Sequence, residues 1–407
     1  MGKIVVFGGT SLFGEVTVGG SKNAALPIIF STLLLRGVSE IDNVPNISDI
    51  EVSISIIESF GARVTREGKR LVIDTSEVFY AEPDASLVSR IRASTYLIGA
   101  SLARFGRARI GQFGGCSFSP RPIDMHLYAA EALGARHVGD TLLCELPHSA
   151  NIVFDKISVG ATVNAVLMAL LAPGVTRITP YAKEPHVTAF FDFLRSAGAS
   201  ISTTDDTLTV RGGTRLCGGK IRLPGDMIEA GTYLLTSLIT GGEITVFGVN
   251  PEELSALHRA FSSAGAHLEC KDGGVSFCGT PTEPITVIAE PYPGFPTDLQ
   301  PIAAAALAKA RGGVVRDTVF KTRYGYLTEL SRFGVKSKLT DDEALIYPSP
   351  LTPAIAYARD LRCGAAALSL ALGVDGESVI ENSEMILRGY ESVEDKLSAL
   401  GAKIEVL

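Results

Sequence analysis

No stretch of this chain stays apolar for the roughly 18 residues that suggest a membrane span. The longest runs, such as Ala165 to Ala172, stop far short of that. The opening Met1-Gly-Lys-Ile-Val-Val-Phe-Gly-Gly has neither the apolar core nor the small-residue cleavage site of a secretory leader. Six cysteines, at 116, 144, 217, 270, 278 and 363, form no Cys-x-x-Cys pair and no short disulfide framework. A chain of 407 residues does not need disulfides to hold a core, so these read as free thiols in a reducing, cytoplasmic setting. There is no low-complexity tract and no run of like charge. The net charge of −7 excludes a general nucleic-acid binder, although an anionic small molecule needs only a local group of cations. The six histidines contain no His-x-x-x-His pair, and neither a metal nor a cofactor is expected. The nearest approach to a phosphate loop, Gly213-Thr-Arg-Leu-Cys-Gly-Gly-Lys220-Ile, has the wrong spacing and no Ser or Thr after the lysine. A nucleotide kinase of that kind is thereby disfavoured.

What is present is a repeat. Hydrophobic residues make up 46% and charged residues 20%, the composition of a globular α/β protein, and the length suits two domains of roughly 200 residues. A helical segment ending in glycine recurs six times, at Gly61, Gly134, Gly198, Gly265, Gly334 and Gly401. The period is about 68 residues. Glycine belongs there because the residue that closes a helix commonly adopts the left-handed conformation. The helix before each glycine is amphipathic, as in Val187-Thr-Ala-Phe-Phe-Asp-Phe-Leu-Arg-Ser.

A second helix, rich in alanine, starts upstream of each glycine, near Lys22, Arg92, Gly160, Glu229, Thr297 and Arg362. With few charges, such helices are expected to be buried on nearly all sides. Each unit therefore reads strand, buried helix, strand, surface helix and two strands. Six βαβαββ units divide three and three at Pro224-Gly225. The expected domains are 22–224, carrying Cys116, and 1–21 with 225–407.

Several long motifs occur in order along this frame. They include Gly20-Ser-Lys22-Asn23-Ala-Ala-Leu-Pro, Ile91-Arg92-Ala-Ser and Gly114-Gly-Cys116-Ser-Phe-Ser-Pro-Arg121-Pro-Ile-Asp124. Further on come Lys156-Ile-Ser158-Val-Gly160-Ala-Thr, Gly294-Phe-Pro-Thr-Asp298, Val319-Phe-Lys-Thr-Arg323, Asp360-Leu-Arg362 and Arg388-Gly-Tyr-Glu-Ser-Val-Glu-Asp-Lys. In these segments, which cover essentially the whole chain, the sequence resembles the enolpyruvyl transferase family. The resemblance implies a two-domain inside-out α/β barrel with its active site in the cleft between the domains. It also implies transfer of the carboxyvinyl group of phosphoenolpyruvate to UDP-N-acetylglucosamine, an early step of peptidoglycan synthesis. Two other readings stay open: the sister reaction on shikimate 3-phosphate, and a non-catalytic UDP-sugar-binding paralogue.

Phosphoenolpyruvate carries a phosphate and a carboxylate on three carbons, so its site must supply several cations. Arginine gives forked hydrogen bonds to such groups, and lysine a movable point charge. The resemblance implies that Lys22, Arg121, Arg323 and Arg388 bind it, with Asn23 and Arg92 bridging toward the sugar nucleotide. Arg362 joins this set. Taken singly, Lys22 and Arg388 would equally suit solvated surface positions.

Cys116 lies in a stretch too rich in Gly and Pro for a helix or strand interior, which reads as an exposed loop with Arg121 close in sequence to lower its pKa. By resemblance it is the active-site thiol, a general acid toward the vinyl CH2 and the group alkylated by fosfomycin. Asp298 begins a buried helix and would serve equally as a cap. The resemblance instead places it beside the sugar 3′-hydroxyl as general base. Uridine would lie along Arg121, Pro122, Ile123, Asp124 and Met125, along Lys156, Ser158, Val159 and Gly160, and against Val319. One departure stands out: family members often carry a lysine near position 48, where this chain has Asn46-Ile-Ser48-Asp49.

Overall fold

A computed structural model describes residues 2–111, 113–115 and 121–407. Cys116 lies outside the described residues. The described chain forms two compact units, one of residues up to Gly19 with Gly225–Leu407, the other of Gly20–Gly115 with Arg121–Pro224.

In the unit that contains the C-terminus, three helices pack against one another: Met227–Thr240, Gln300–Lys309 and Leu361–Leu372. All twelve residues of Leu361–Leu372 are buried, as are nine of the ten in Gln300–Lys309. Alanine makes this possible, because small side chains let helices approach closely and leave no volume for a larger residue to fill. Three four-stranded sheets pack on these helices, and their strands alternate buried and exposed positions, as Ile285–Ala289 does. The other unit uses the buried helices Lys22–Ser31, Leu97–Phe105 and Val159–Leu171 in the same way. Among the described residues none of the six sheets closes on itself, and the helices beneath them are the buried elements. All six repeat glycines have positive φ, from 87° at Gly61 to 101° at Gly134, the conformation that a residue with a Cβ adopts only with strain.

The sheets correct the repeat in one respect. A complete unit gives a sheet in which the first and second strands are parallel and the last two form an antiparallel hairpin beside them. Asn151–Val153, Gly174–Thr179, Ser200–Thr203 and Leu208–Gly212 do this from one continuous stretch. The sheet of Ile285–Ala289, Gly313–Asp317, Lys336–Leu339 and Glu343–Tyr347 repeats this, but in three other sheets strands change places. Lys220–Arg222 is the parallel edge of the sheet of Val38–Asp42, whereas Phe13–Thr17 is the parallel edge of the sheet of Glu243–Phe247. Lys3–Gly8 sits antiparallel between Gly376–Glu381 and Lys403–Val406, completing the sixth unit. The second unit's sheet has three strands among the described residues. Periodic glycines mark where helices stop, but an open sheet edge accepts any strand that presents the matching hydrogen-bond pattern.

Candidate active site

The unit containing the C-terminus builds its cluster around Asp298. This residue stands in the 3-10 turn Thr297–Leu299 that leads into the helix Gln300–Lys309, and its side chain does not cap that turn. Its carboxylate is gripped from two sides. Oδ1 accepts from Arg323 Nη1 at 2.9 Å, and Oδ2 accepts from Arg362 Nε at 3.2 Å and Nη2 at 3.0 Å. Each arginine is 3% exposed. Charge-assisted bonds of this kind are about twice as strong as neutral ones.

Both arginines are themselves tied down. The second hydrogen bond of Arg323 Nη1 runs to Thr297 Oγ1 at 3.0 Å, and Thr297 donates to Asp317 Oδ2 at 2.5 Å. Asp317 Oδ1 accepts the backbone N–H groups of Val319 at 2.9 Å and Phe320 at 2.8 Å. The same carboxylate thus shapes the turn that carries Val319, which is exposed, and steadies the arginine on Asp298. Arg362 enters the first turn of Leu361–Leu372 because Asp360 caps that helix, accepting from the N–H groups of Arg362 and Cys363. Burial depresses the Arg362 guanidinium, but the charges of Asp298 and Asp226 and the hydrogen bond to Tyr390 outweigh it and raise its pKa above the ordinary value. Arg388 is half-buried and meets the sulfur of Met385 at 3.8 Å.

In the other unit the expected residues gather at the starts of its buried helices. Lys22 opens Lys22–Ser31 behind Ser21, whose hydroxyl caps the helix. Its ammonium lies 3.2 Å from Asp49, and both side chains are largely buried. Asp49, missed by the sequence reading, stands in the segment noted for its absent lysine. An acid in the first turn of a helix, here Ser48–Ser59, carries no signal of its own because it is ordinary there.

Arg92 donates to the carbonyl of Arg121. Burial, and then the like charge of Arg121, push its pKa down to about 10. Gly115 makes room for this pair: a Cβ there would come within 2.5 Å of Arg121 Nη2 and 2.7 Å of Arg92 Cβ. Two guanidinium groups held together favour an anion beside them.

Along the expected uridine path, Pro122, Asp124 and Lys156 are exposed, while Arg121, Ile123, Met125, Val159 and Gly160 are half-buried. Ser158 caps Val159–Leu171, accepting from the N–H of Ala161 at 3.3 Å. Asn23 is half-buried beside Lys22.

His126, buried beneath this stretch, was also missed. Asn164 Oδ1 accepts from the N–H of Gly99 at 2.8 Å, so its Nδ2 donates, to the carbonyl of Thr95 at 3.0 Å and to His126 Nδ1 at 2.6 Å. The ring must then be neutral with its proton on Nε2. Burial, and after it the charge of Arg92, push His126 from 6.5 down to about 4. A depressed value means that the unfolded chain takes up the proton first as pH falls. The stability contributed by this group is present above pH 6.5 and lost between 6.5 and 4, amounting to about 3 kcal/mol. Glu253 has the opposite sign: burial and Asp226 raise it to about 7, so its contribution is lost as pH rises from 4.5. Comparing wild type with His126→Gln in urea unfolding at pH 7.5 and pH 4.5 isolates the histidine. The wild type should lose more stability on acidification than the variant, and equal losses would refute this account.

Two α/β units, each with three buried helices under open sheets and with cations and an acid at helix starts, define the enolpyruvyl transferase class. The comparisons agree. A model of the EPSP synthase (3-phosphoshikimate 1-carboxyvinyltransferase) family matches residues 6–397. The UDP-N-acetylglucosamine 1-carboxyvinyltransferase of Yersinia pestis (strain Pestoides F) is 38% identical over 416 residues, covering 100% of this chain and 99% of that protein. The protein of the same name from Yersinia pseudotuberculosis serotype O:1b (strain IP 31758) gives the same figures. Among solved structures, the enolpyruvyl transferase NikO from Streptomyces tendae matches with a TM-score of 0.87 at 25% identity, covering 100% of this chain and 99% of that one. An EPSP synthase from Acinetobacter baumannii, at 17% identity and a TM-score of 0.74 over 100% of both chains, shares the fold. The chain belongs to the EPSP synthase family of enolpyruvyl transferases. No helix among its described residues is long and apolar enough to cross a membrane.

Proposed function

We propose that this protein transfers the carboxyvinyl group of phosphoenolpyruvate to the 3′-hydroxyl of UDP-N-acetylglucosamine, releasing phosphate. The observation that carries the reading is the Asp298 carboxylate held between Arg323 and Arg362. A module that only bound a sugar nucleotide would not need an acid fixed so rigidly. Lys22, Arg121 and Arg388 supply charge for phosphoenolpyruvate.

The reaction is addition followed by elimination. Asp298 takes the proton of the 3′-hydroxyl as its oxygen bonds to C2 of phosphoenolpyruvate, while C3 receives a proton from Cys116. The product is a tetrahedral phospholactoyl adduct. In the elimination the Cys116 thiolate takes a proton back from C3 as the C2–O bond to phosphate breaks, which restores the double bond, and the departing phosphate takes up the proton held by Asp298.

Phosphate release measured with each acceptor tests the reading. Release should require phosphoenolpyruvate and UDP-N-acetylglucosamine together. Release with shikimate 3-phosphate alone as acceptor would reassign the protein to the sister reaction, and release with neither would leave a binding paralogue. Fosfomycin supplies a second arm of the same experiment, with covalent inactivation faster in the presence of sugar nucleotide and slower with excess phosphoenolpyruvate. Burial raises the thiol pKa of Cys144 and Cys278 and pushes Cys363 up to about 12. The competitors for labelling are therefore the exposed Cys217 and Cys270. An adduct on either of them, or labelling indifferent to both substrates, would overturn the assignment of Cys116.

A further inference from the structure

Arg362 is oriented by a chain of hydroxyl groups with no place in the chemistry described above. Its Nη1 donates to Tyr390 Oη at 3.0 Å. Tyr390 Oη lies 2.8 Å from Thr232 Oγ1, which lies 2.8 Å from the carbonyl of Ile228. Tyr390 is 3% exposed and Thr232 7%.

The direction of every bond in the chain follows from proton counting. A guanidinium only donates and a carbonyl only accepts. Thr232 has one hydroxyl proton, and the Ile228 carbonyl takes it. Tyr390 must therefore give its own proton to Thr232, which leaves its oxygen to accept from Arg362. Burial raises the Tyr390 phenol above its ordinary pKa, so the proton stays in place. The chain ends on the first turn of Met227–Thr240, a buried helix, and so ties the guanidinium to the core of this unit. With Nη1 held, the planar group has little freedom to rotate, and Nε and Nη2 are both delivered to Asp298 Oδ2.

We infer that Tyr390 is a positioning residue for the reaction: through Arg362 it fixes the orientation in which the Asp298 carboxylate meets the acceptor hydroxyl. The inference rests on the proposed role of Asp298 as base. A hydrogen bond to a buried charged group matters more than a neutral one, and a small misplacement of a catalytic group is costly.

Tyr390→Phe removes one oxygen and keeps the ring. It should lower kcat about tenfold and leave KM for both substrates within about twofold. In the Asp298→Asn background the same change should have almost no further effect, because the group it positions is gone. Thr232→Val should act in the same direction, and Thr232→Ser, which keeps the hydroxyl, should restore the wild-type rate. If Tyr390→Phe does not fold, the Thr232 pair decides the matter. A raised KM at constant kcat, a full tenfold loss in the Asp298→Asn background, or equal damage from Thr232→Ser and Thr232→Val would overturn the inference. Failure of the underlying reading is visible separately, as normal turnover in Asp298→Asn alone.

Discussion

Asp298→Asn should lower turnover by roughly a hundredfold or more, while binding of UDP-N-acetylglucosamine stays within about threefold of wild type. Asparagine copies the shape of the carboxylate but accepts no proton at neutral pH. It also presents an NH2 group on one side, which must face either Arg323 or Arg362, and both are donors only. The variant should consequently unfold at lower temperature as well as turn over slowly. Steady-state phosphate release together with nucleotide titration separates the two effects, since a merely unfolded protein would lose binding too. Near-normal turnover would remove Asp298 from the chemistry and leave it as a structural acid between two arginines.

The second large effect is expected at Arg362. Its side chain is 4% exposed, and that of its partner Asp298 is 29% exposed. Removing one member of a buried pair leaves the other charge poorly compensated, which costs about 3 kcal/mol. Arg362→Ala also strips the donor from Tyr390 Oη and opens a cavity at the first turn of a fully buried helix. Turnover should fall at least as far as in Asp298→Asn. Arg362→Lys should recover less than half of the lost stability, because an ammonium cannot bridge Tyr390 and the carboxylate with a planar fork. Chemical denaturation gives the stability and phosphate release the rate. A loss below about 1 kcal/mol in the alanine variant would mean that Arg323 alone satisfies Asp298.

Different parts of this molecule were legible in the sequence to different degrees. Four of the six buried helices start within two residues of where their segments indicated, Leu361–Leu372 behind its Asp360 cap among them, because a cap is a short-range signal. Leu97–Phe105 and Gln300–Lys309 start later, behind the 3-10 turns Arg92–Tyr96 and Thr297–Leu299. Asp298 was legible as a residue at a helix start. That it faces two arginines instead of capping the turn was not, since a cap and a clamped acid look alike in one dimension. Lys22 stood out as a cation at a helix start. Its partner Asp49 did not, because an acid in a first helical turn needs no explanation. His126 escaped notice because what makes it unusual is the Asn164 amide, oriented by Gly99 and Thr95 from another helix.

The sequence by itself determined the sixfold frame, the helix ends and the residues available for chemistry. Each of these depends on backbone preferences acting over a few residues: glycine at positive φ after a helix, a side-chain oxygen at its start, alanine where helices crowd. Tertiary structure alone decided which strand fills which sheet edge and which charges meet. Phe13–Thr17 and Lys220–Arg222 lie beside strands far away in the chain, and Arg362 reaches an aspartate 64 residues before it. Sheet edges and guanidinium groups carry no sequence address; they bond to whatever complementary group the packing of the buried helices brings within reach.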